Sequence, residues 1–270
     1  MQAIKSVVKK FLPESAFNAV RDGKDFLERL PHALAAAADP LLRESRENLK
    51  KFHNLHTGER CFVIGNGPSL KNTDMSKLKN EYTFGLNRIY LMFAELGFST
   101  SYFVSMNDLV IEQSAAEIDA LKMPKFVSWR SRKWLTPNPD LYFLYSTYTG
   151  PRFSTDITKR LWEGATVTFI ALQLAYYFGF SEVILIGVDH NFETKGKPNT
   201  TITSQGDDPN HFNPGYFGKG FRWQLPDLET SEIGYRMARR AFEADDRKVV
   251  DATIHGKLEI FPKEKYDTLF

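Results

Sequence analysis

The sequence predicts an α/β fold: a Rossmann-like, mainly parallel sheet with helices on both faces, preceded by an N-terminal helical segment. The prediction rests first on an alternation that begins at Arg60. Short apolar runs, "CFVIGN", "YTFGLN", "SYFVSMN", "KFVSW", "EVILIGVD" and "KVVDAT", are separated by helical stretches. Continuously apolar strands spaced by helices are what a sheet covered on both faces requires. It rests second on size, since 270 residues of which 42% are hydrophobic can bury one sizeable core.

Residues 1–56 contain no strand candidate and read as helices broken at Pro13, Pro31 and Pro40, with "HALAAAADPLLRESRENLKKF" the strongest stretch. The opening "MQAIKSVVKKFL" puts Ile4, Val7, Val8 and Phe11 on one helical face beside Lys5, Lys9 and Lys10. Such a helix packs on its own protein or on a sister subunit in a homo-oligomer, and it can also lie peripherally on an anionic membrane. The expected division is a helical segment, 1–56, and a Rossmann-like domain, 57–270.

Two long helices follow from spacing. In "GATVTFIALQLAYYFGF", Val167, Ile170, Ala171, Leu174 and Phe178 share a face, and Gly179 suits a C-terminal cap. In "SEIGYRMARRAFEADD", Ile233, Met237, Ala241 and Phe242 do the same behind a Ser231 or Thr230 N-cap. Between Thr194 and Asp227 the chain is rich in Gly, Pro, Asn and Asp. It is too long for a simple connection and reads as a lid without regular structure.

Thirty-five basic residues against 33 acidic ones leave a formal charge of +2, no field for nucleic acid as a partner. The single cysteine, Cys61, excludes an intramolecular disulfide and any multi-cysteine metal site; in an apolar strand it reads as an inert thiol in a reducing cytoplasm. No run approaches the roughly 18 apolar residues of a membrane span, and no secretory leader is evident, so a cytoplasmic location is expected, with peripheral contact at the inner membrane face through the first helix.

Ligands of open parallel sheets bind beyond the carboxyl ends of the strands. Four such ends carry compact polar residues: Gly65-Asn66-Gly67, Asn87, Asn107-Asp108 and Asp189-His190-Asn191. Each alone can be a cap or a turn. Converging, they suit a sugar, a ribose or a base, which need donors and acceptors together. Gly65 and Gly67 are expected to take positive φ and admit a phosphate to the turn, with Pro68 and Ser69 opening the next helix. Leu70 stands where the dinucleotide fingerprint needs its third glycine, and the loop lacks the Gly-Lys-Ser/Thr ending of a P-loop.

"VIGNGPSL", then "GLNRIY", then "EVILIGVDHNF" resemble the MptE-like superfamily over roughly residues 57–255. That group includes archaeal 6-hydroxymethyl-dihydropterin pyrophosphokinases and motility-associated flagellin glycosyltransferases, and more distantly the family 42 sialyltransferases. The resemblance implies that Gly65, Asn66, Gly67, Pro68 and Ser69 hold the phosphate and sugar of a CMP-activated donor, with Asn87 and Asn107 at the matching strand ends. A segment opening the long helix matches loosely onto Gly164 to Thr168, bringing in Thr166 and Thr168. The sialyltransferases carry a catalytic histidine shortly before the last helix. Here that region reads "RWQLPDLETS" without one, and His211 lies about twenty residues ahead.

Three functions remain open. The first is a glycosyltransferase of surface glycans or flagellin, moving a nucleotide-activated sugar, CMP-linked and acidic, to a glycan or protein acceptor. His211, Asp189 and His190 are then the base candidates, Lys195, Lys197, Lys219 or Arg222 meets the phosphate, and no cofactor is needed. The second is a pterin pyrophosphokinase with Mg²⁺ held by Asp108 and Asp189, the lid's Tyr216, Phe217, Phe221 and Trp223 stacking on a flat ring. The third is a non-catalytic nucleotide-sugar-binding protein.

Overall fold

A computed structural model describes residues 14–193 and 196–270, with side chains from residue 22 onward. The "MQAIKSVVKKFL" segment, Pro13, Thr194 and Lys195 lie outside the described residues.

Helix α1 (Glu14–Ala38) is followed by α2 (Pro40–Leu49). The break falls where Asp39 accepts the N–H groups of Leu41 at 2.9 Å and Leu42 at 3.3 Å, with Pro40 in the first turn. The expected break at Pro31 is absent: Pro31 sits inside α1. A proline leaves the Leu27 carbonyl without its helical partner, and this stretch faces solvent, with Leu27 67% exposed, so water can supply the missing donor.

The strands are β1 (Arg60–Ile64), β2 (Tyr82–Leu86), β3 (Tyr102–Ser105), β4 (Lys125–Ser128), β5 (Leu141–Leu144), the short β6 (Ser146–Thr147) and β7 (Leu161–Trp162), β8 (Glu182–Ile186), β9 (Thr201–Thr203), β10 (Arg222–Gln224) and β11 (Lys248–Asp251). Helices α3 (Phe93–Leu96), α4 (Asp108–Gln113), α5 (Ala115–Ala120), α6 (Val167–Phe178) and α7 (Leu228–Ala244) lie between them. Seven strands form one sheet in the order β11-β8-β1-β2-β3-β4-β5, every pairing parallel. The fold is Rossmann-like. β5 was not among the sequence candidates, because "LYFL" is short and follows Pro139-Asp140 directly; α2 packs on it, and Ser45 Oγ accepts the Phe143 N–H at 3.0 Å.

Alternate residues of β1 serve opposite faces. Cys61 and Val63 join Val183, Leu185 and Phe84 against α6 and α7, while Phe62 and Ile64 join Ile184 and Ile186 beneath the lid. Burial pushes the Cys61 thiol well up, which keeps it in the inert form. Helix α6 runs as expected to Gly179, whose φ of 93° makes the cap. Helix α7 starts earlier than its spacing suggests, capped by Asp227 and not by Thr230 or Ser231. Its buried face is Tyr235, Ala238 and Phe242, with Gly234 seated on Phe169, while Ile233 is exposed.

The lid is not irregular throughout. β9 and β10 pair antiparallel, with Trp223 opposite Ile202. Phe212, Tyr216, Phe217, Trp223 and Leu225 are buried in the core on that face. Aromatic burial, invisible in a Gly/Pro-rich composition, supplies the order. No helix of the described residues is long and apolar enough to cross a membrane.

Candidate active site

From β1 the chain works outward through β2 to β5, then returns by α6 to β8 on the other side of β1. Loops leaving β1 and β8 therefore part at a switch point, where open α/β sheets bind ligands. An open crevice lies there, with ≈ 730 Å³ of empty space once the solvent at its mouth is included. It is walled by the loops after β1 and β8, Asn87, the start of α6, the lid from Asn210 to Tyr216 and the start of α7.

Close approach explains the glycines, but the approaching group belongs to the protein. A Cβ on Gly65 would stand 2.2 Å from the Gly187 carbonyl oxygen, and one on Gly67 would stand 1.8 Å from Asp189 Oδ2. Neither glycine uses positive φ: Gly67 has φ −68°, and it is Gly187, across the gap, that has φ +65°. The backbone bonds Gly65 N–H to Ile186 O at 2.8 Å and Gly67 N–H to Gly187 O at 2.9 Å continue the β1–β8 pairing past the strand ends. The expected phosphate turn is thus a seam between two loops.

Asp189 is the latch of this seam. Ser69 donates its N–H to Oδ1 at 3.0 Å and its hydroxyl to Oδ2 at 2.7 Å. The carboxylate is thus not free: each oxygen already accepts one bond from Ser69, while Asp189 still lines the crevice. Desolvation raises its pKa against the pull of these bonds. Since the folded state then holds the proton more tightly than the unfolded chain, this group's contribution to stability is greatest when protonated and falls as pH rises above the ordinary carboxylate range. Asp189→Asn keeps an acceptor for the Ser69 N–H and cannot titrate, so urea unfolding across a pH series should show a shallower decline than the parent. An unchanged slope would assign the decline to other groups.

Two histidines reach the crevice, each with a carboxylate. His211 Nδ1 is 2.7 Å from Asp208 Oδ2, and its ring stacks on Tyr216 at 4.0 Å between centroids. Asp208 is 7% exposed, fixed by its Oδ1 accepting the Asn210 N–H at 2.9 Å and its own N–H donating to the Pro214 carbonyl at 2.8 Å. With Nδ1–H donated to the carboxylate, Nε2 is the basic nitrogen, and among the described residues it has no hydrogen-bond partner. His190, at φ +53°, instead places Nε2 3.2 Å from Glu232 Oε1. Asp208 and Glu232 were missed in the sequence. "DDPNH", with Asp208 three residues before His211, was the available signal for the first; Glu232 comes from another element and left none.

Asn66 donates Nδ2 to the Leu86 carbonyl at 3.0 Å, while its Oδ1 is buried without a partner. Its carbonyl accepts the Phe212 N–H at 2.9 Å and ties the lid down. Asn87, at φ +48°, accepts the Ser105 hydroxyl at 3.0 Å and lines the crevice with Thr166 and Thr168. Thr166 caps α6, its Oγ1 accepting the Thr168 N–H at 3.3 Å and lying 3.4 Å from Tyr235 OH. Pro68 and Ser69 do not line the crevice, and neither do Asn107 and Asp108. Asn107 caps α4, and Asp108 is held by Arg130 at 3.0 Å and Ser131 at 2.6 Å. Asp108 therefore does not share the crevice that Asp189 lines, and among the described residues no group of three or more His, Cys, Asp or Glu side chains is placed to hold a metal. Lys197 and Lys219 are exposed, Arg222 pairs with Glu112 at 2.8 Å, and none of the three lines the crevice.

Residues 36–195 match the model of a family described as 6-hydroxymethylpterin diphosphokinase MptE-like. Among solved structures, a MAf glycosyltransferase from Magnetospirillum magneticum AMB-1 superposes with a TM-score of 0.50 at 14% identity, covering 85% of this chain and 39% of that one. The chain thus spans about two fifths of that protein's length, and the likeness is one of fold. A mammalian sialyltransferase in complex with Gal-beta-1-3GalNAc-ortho-nitrophenol reaches a TM-score of only 0.36 at 12% identity, over 87% of this chain and 86% of that one, too loose to bear on either fold or function. Curated protein sequences contain no match.

Proposed function

The chain belongs to the MptE-like family, and from that premise we propose that it is a glycosyltransferase whose β1/β8 crevice binds a nucleotide-activated sugar. The carrying observation is the pair of buried Asp208 with His211, whose ring lines the crevice with Nε2 unpartnered among the described residues. In this reading Nε2 takes the proton of an acceptor hydroxyl as that oxygen bonds the anomeric carbon, and the bond from that carbon to the donor phosphate breaks. Asp208 stabilises the imidazolium that forms. The phosphate departs toward the N-terminal N–H groups of α6, whose dipole favours negative charge. Asn66 Oδ1 is the acceptor awaiting a donor N–H or O–H from the nucleotide or sugar. A CMP-linked acidic sugar is the donor favoured by the family resemblance, and a surface glycan or flagellin the acceptor.

A thermal-shift panel of CMP, CDP, UDP, GDP and ATP, each with and without Mg²⁺, tests the reading. A ligand at 100 times its Kd adds about 2.7 kcal/mol, and CMP should do so without metal. Asn66→Ala should weaken that binding by about 1–3 kcal/mol. Stabilisation by ATP alone, and only with Mg²⁺, would replace sugar transfer with the pyrophosphoryl transfer named by the family description.

A further inference from the structure

Where α1 crosses the carboxyl ends of β4 and β5, three aromatic rings meet. His32 of α1 stacks on Tyr145, just after β5, with centroids 5.4 Å apart, and meets Trp129, just after β4, edge-on at 5.1 Å. The Arg46 guanidinium lies 5.8 Å from the Tyr145 ring centre. His32 Nε2, Arg46 Nε, Trp129 Nε1 and Tyr145 OH are all buried without a hydrogen-bond partner. They are four of the seven such side-chain atoms among the described residues; their concentration at one place calls for a common cause. Trp129 and Tyr145 are themselves only 3% and 7% exposed.

The surroundings are cationic and uncompensated. Arg29 donates to Thr149 Oγ1 at 2.9 Å, and Arg160 donates to Thr147 Oγ1 at 2.9 Å and to the carbonyls of Thr149 and Gly150 at 3.1 Å each. Both Nη1 atoms flank one point above Gly150, at 2.9 and 3.0 Å. Among the described residues Arg29, Arg46, Arg152 and Arg160 pair with no carboxylate, whereas Arg60, Arg130, Arg132, Arg222, Arg236 and Arg239 each do. Burial and the like charges of Arg152 and Arg29 lower the Arg160 pKa, the mark of cations held together without a counterion.

Guanidinium and indole groups only donate, so the missing partner is an acceptor-rich anion. We propose that this cluster is a phosphate-binding site, distinct from the β1/β8 crevice, that receives a phosphate or diphosphate group between Arg29, Arg46 and Arg160, with Trp129 and Tyr145 donating from below. Bidentate guanidinium forks suit that geometry. None of these residues lines the crevice. The phosphate can be that of a soluble ester or of a lipid headgroup; Phe26, Leu27 and Leu34, exposed on α1 at 57%, 67% and 62%, make the second source worth separating from the first.

The test uses the full chain. Inorganic pyrophosphate binding is measured by calorimetry for the parent, Arg46→Gln, Tyr145→Phe and Asn66→Ala. Because Arg46 Nε and Tyr145 OH are unpartnered, the first two variants should keep the unliganded melting temperature yet bind at least about tenfold more weakly, while Asn66→Ala retains this site. Sedimentation with phosphatidylglycerol vesicles, against phosphatidylcholine vesicles, forms the second arm. Arg46- and Tyr145-dependent binding to vesicles but not to pyrophosphate assigns a headgroup; the reverse assigns a soluble phosphate. Binding to neither, or binding unchanged in both variants, overturns the proposal.

Discussion

Replacing His211 with alanine should lower sugar-transfer turnover by about 10²–10⁴-fold, the range of a positioned general base, and leave donor affinity nearly unchanged. The separation follows from geometry: Nε2 has no partner among the described residues, so nothing that holds the donor is removed. Asp208→Asn should lose a large part of the same rate, because an amide neither fixes the Nδ1–H tautomer nor stabilises the imidazolium. His211→Ala and the double variant should be nearly equal in rate, since paired groups act as a unit. Steady-state and single-turnover rates on the favoured CMP-sugar, with affinity measured separately, are the readout. Parental turnover in His211→Ala would move the base to His190, where His190→Ala should then show the loss.

Gly65→Ala is expected to be the most damaging single substitution to the fold, at about 2–4 kcal/mol. The added Cβ meets backbone on the far side, 2.2 Å from the Gly187 oxygen and 2.7 Å from its carbonyl carbon. Gly187 has no room to yield, since Leu70 already stands 2.7 Å from its own missing Cβ position. At about 2–4 °C per kcal/mol for a chain of this size class, a clear drop in melting temperature should appear, with loss of nucleotide binding as the seam opens. Gly23→Ala is the control. That glycine is exposed inside α1 with nothing within 4 Å, so alanine should stabilise by about 0.5–1 kcal/mol. Equal denaturation midpoints for Gly65→Ala and the parent would mean that the two loops are not packed as described.

The sequence by itself determined six of the seven strands of the sheet and the edge at which the candidate site lies. Strand burial is written in continuous apolar runs such as "EVILI" and "CFVI", and a strand end followed by a polar turn is a local property, so the crevice residues Asn66, Asn87 and His190 were legible before any fold was known, whereas Thr166 came only from resemblance. Resemblance extended that reading to the family. Only the tertiary structure decided which polar residues are spent on the protein itself. Asp189 looked free because Ser69, its partner, is 120 residues away in the chain. Gly65 and Gly67 looked shaped for a ligand because the Gly187 loop that fills the space arrives from the far side of β1. Asn107 and Asp108, equally good by their position after a strand, turned out to cap α4 and pair with Arg130. Conversely Asp208 became significant only once the lid folded and buried it against His211. The division has one physical cause. Backbone periodicity and turn chemistry act over a few residues and leave a trace in order and spacing, whereas hydrogen-bond partners and steric neighbours across the β1/β8 seam are set by which strands lie side by side, and a parallel sheet brings together strands that are far apart in the chain.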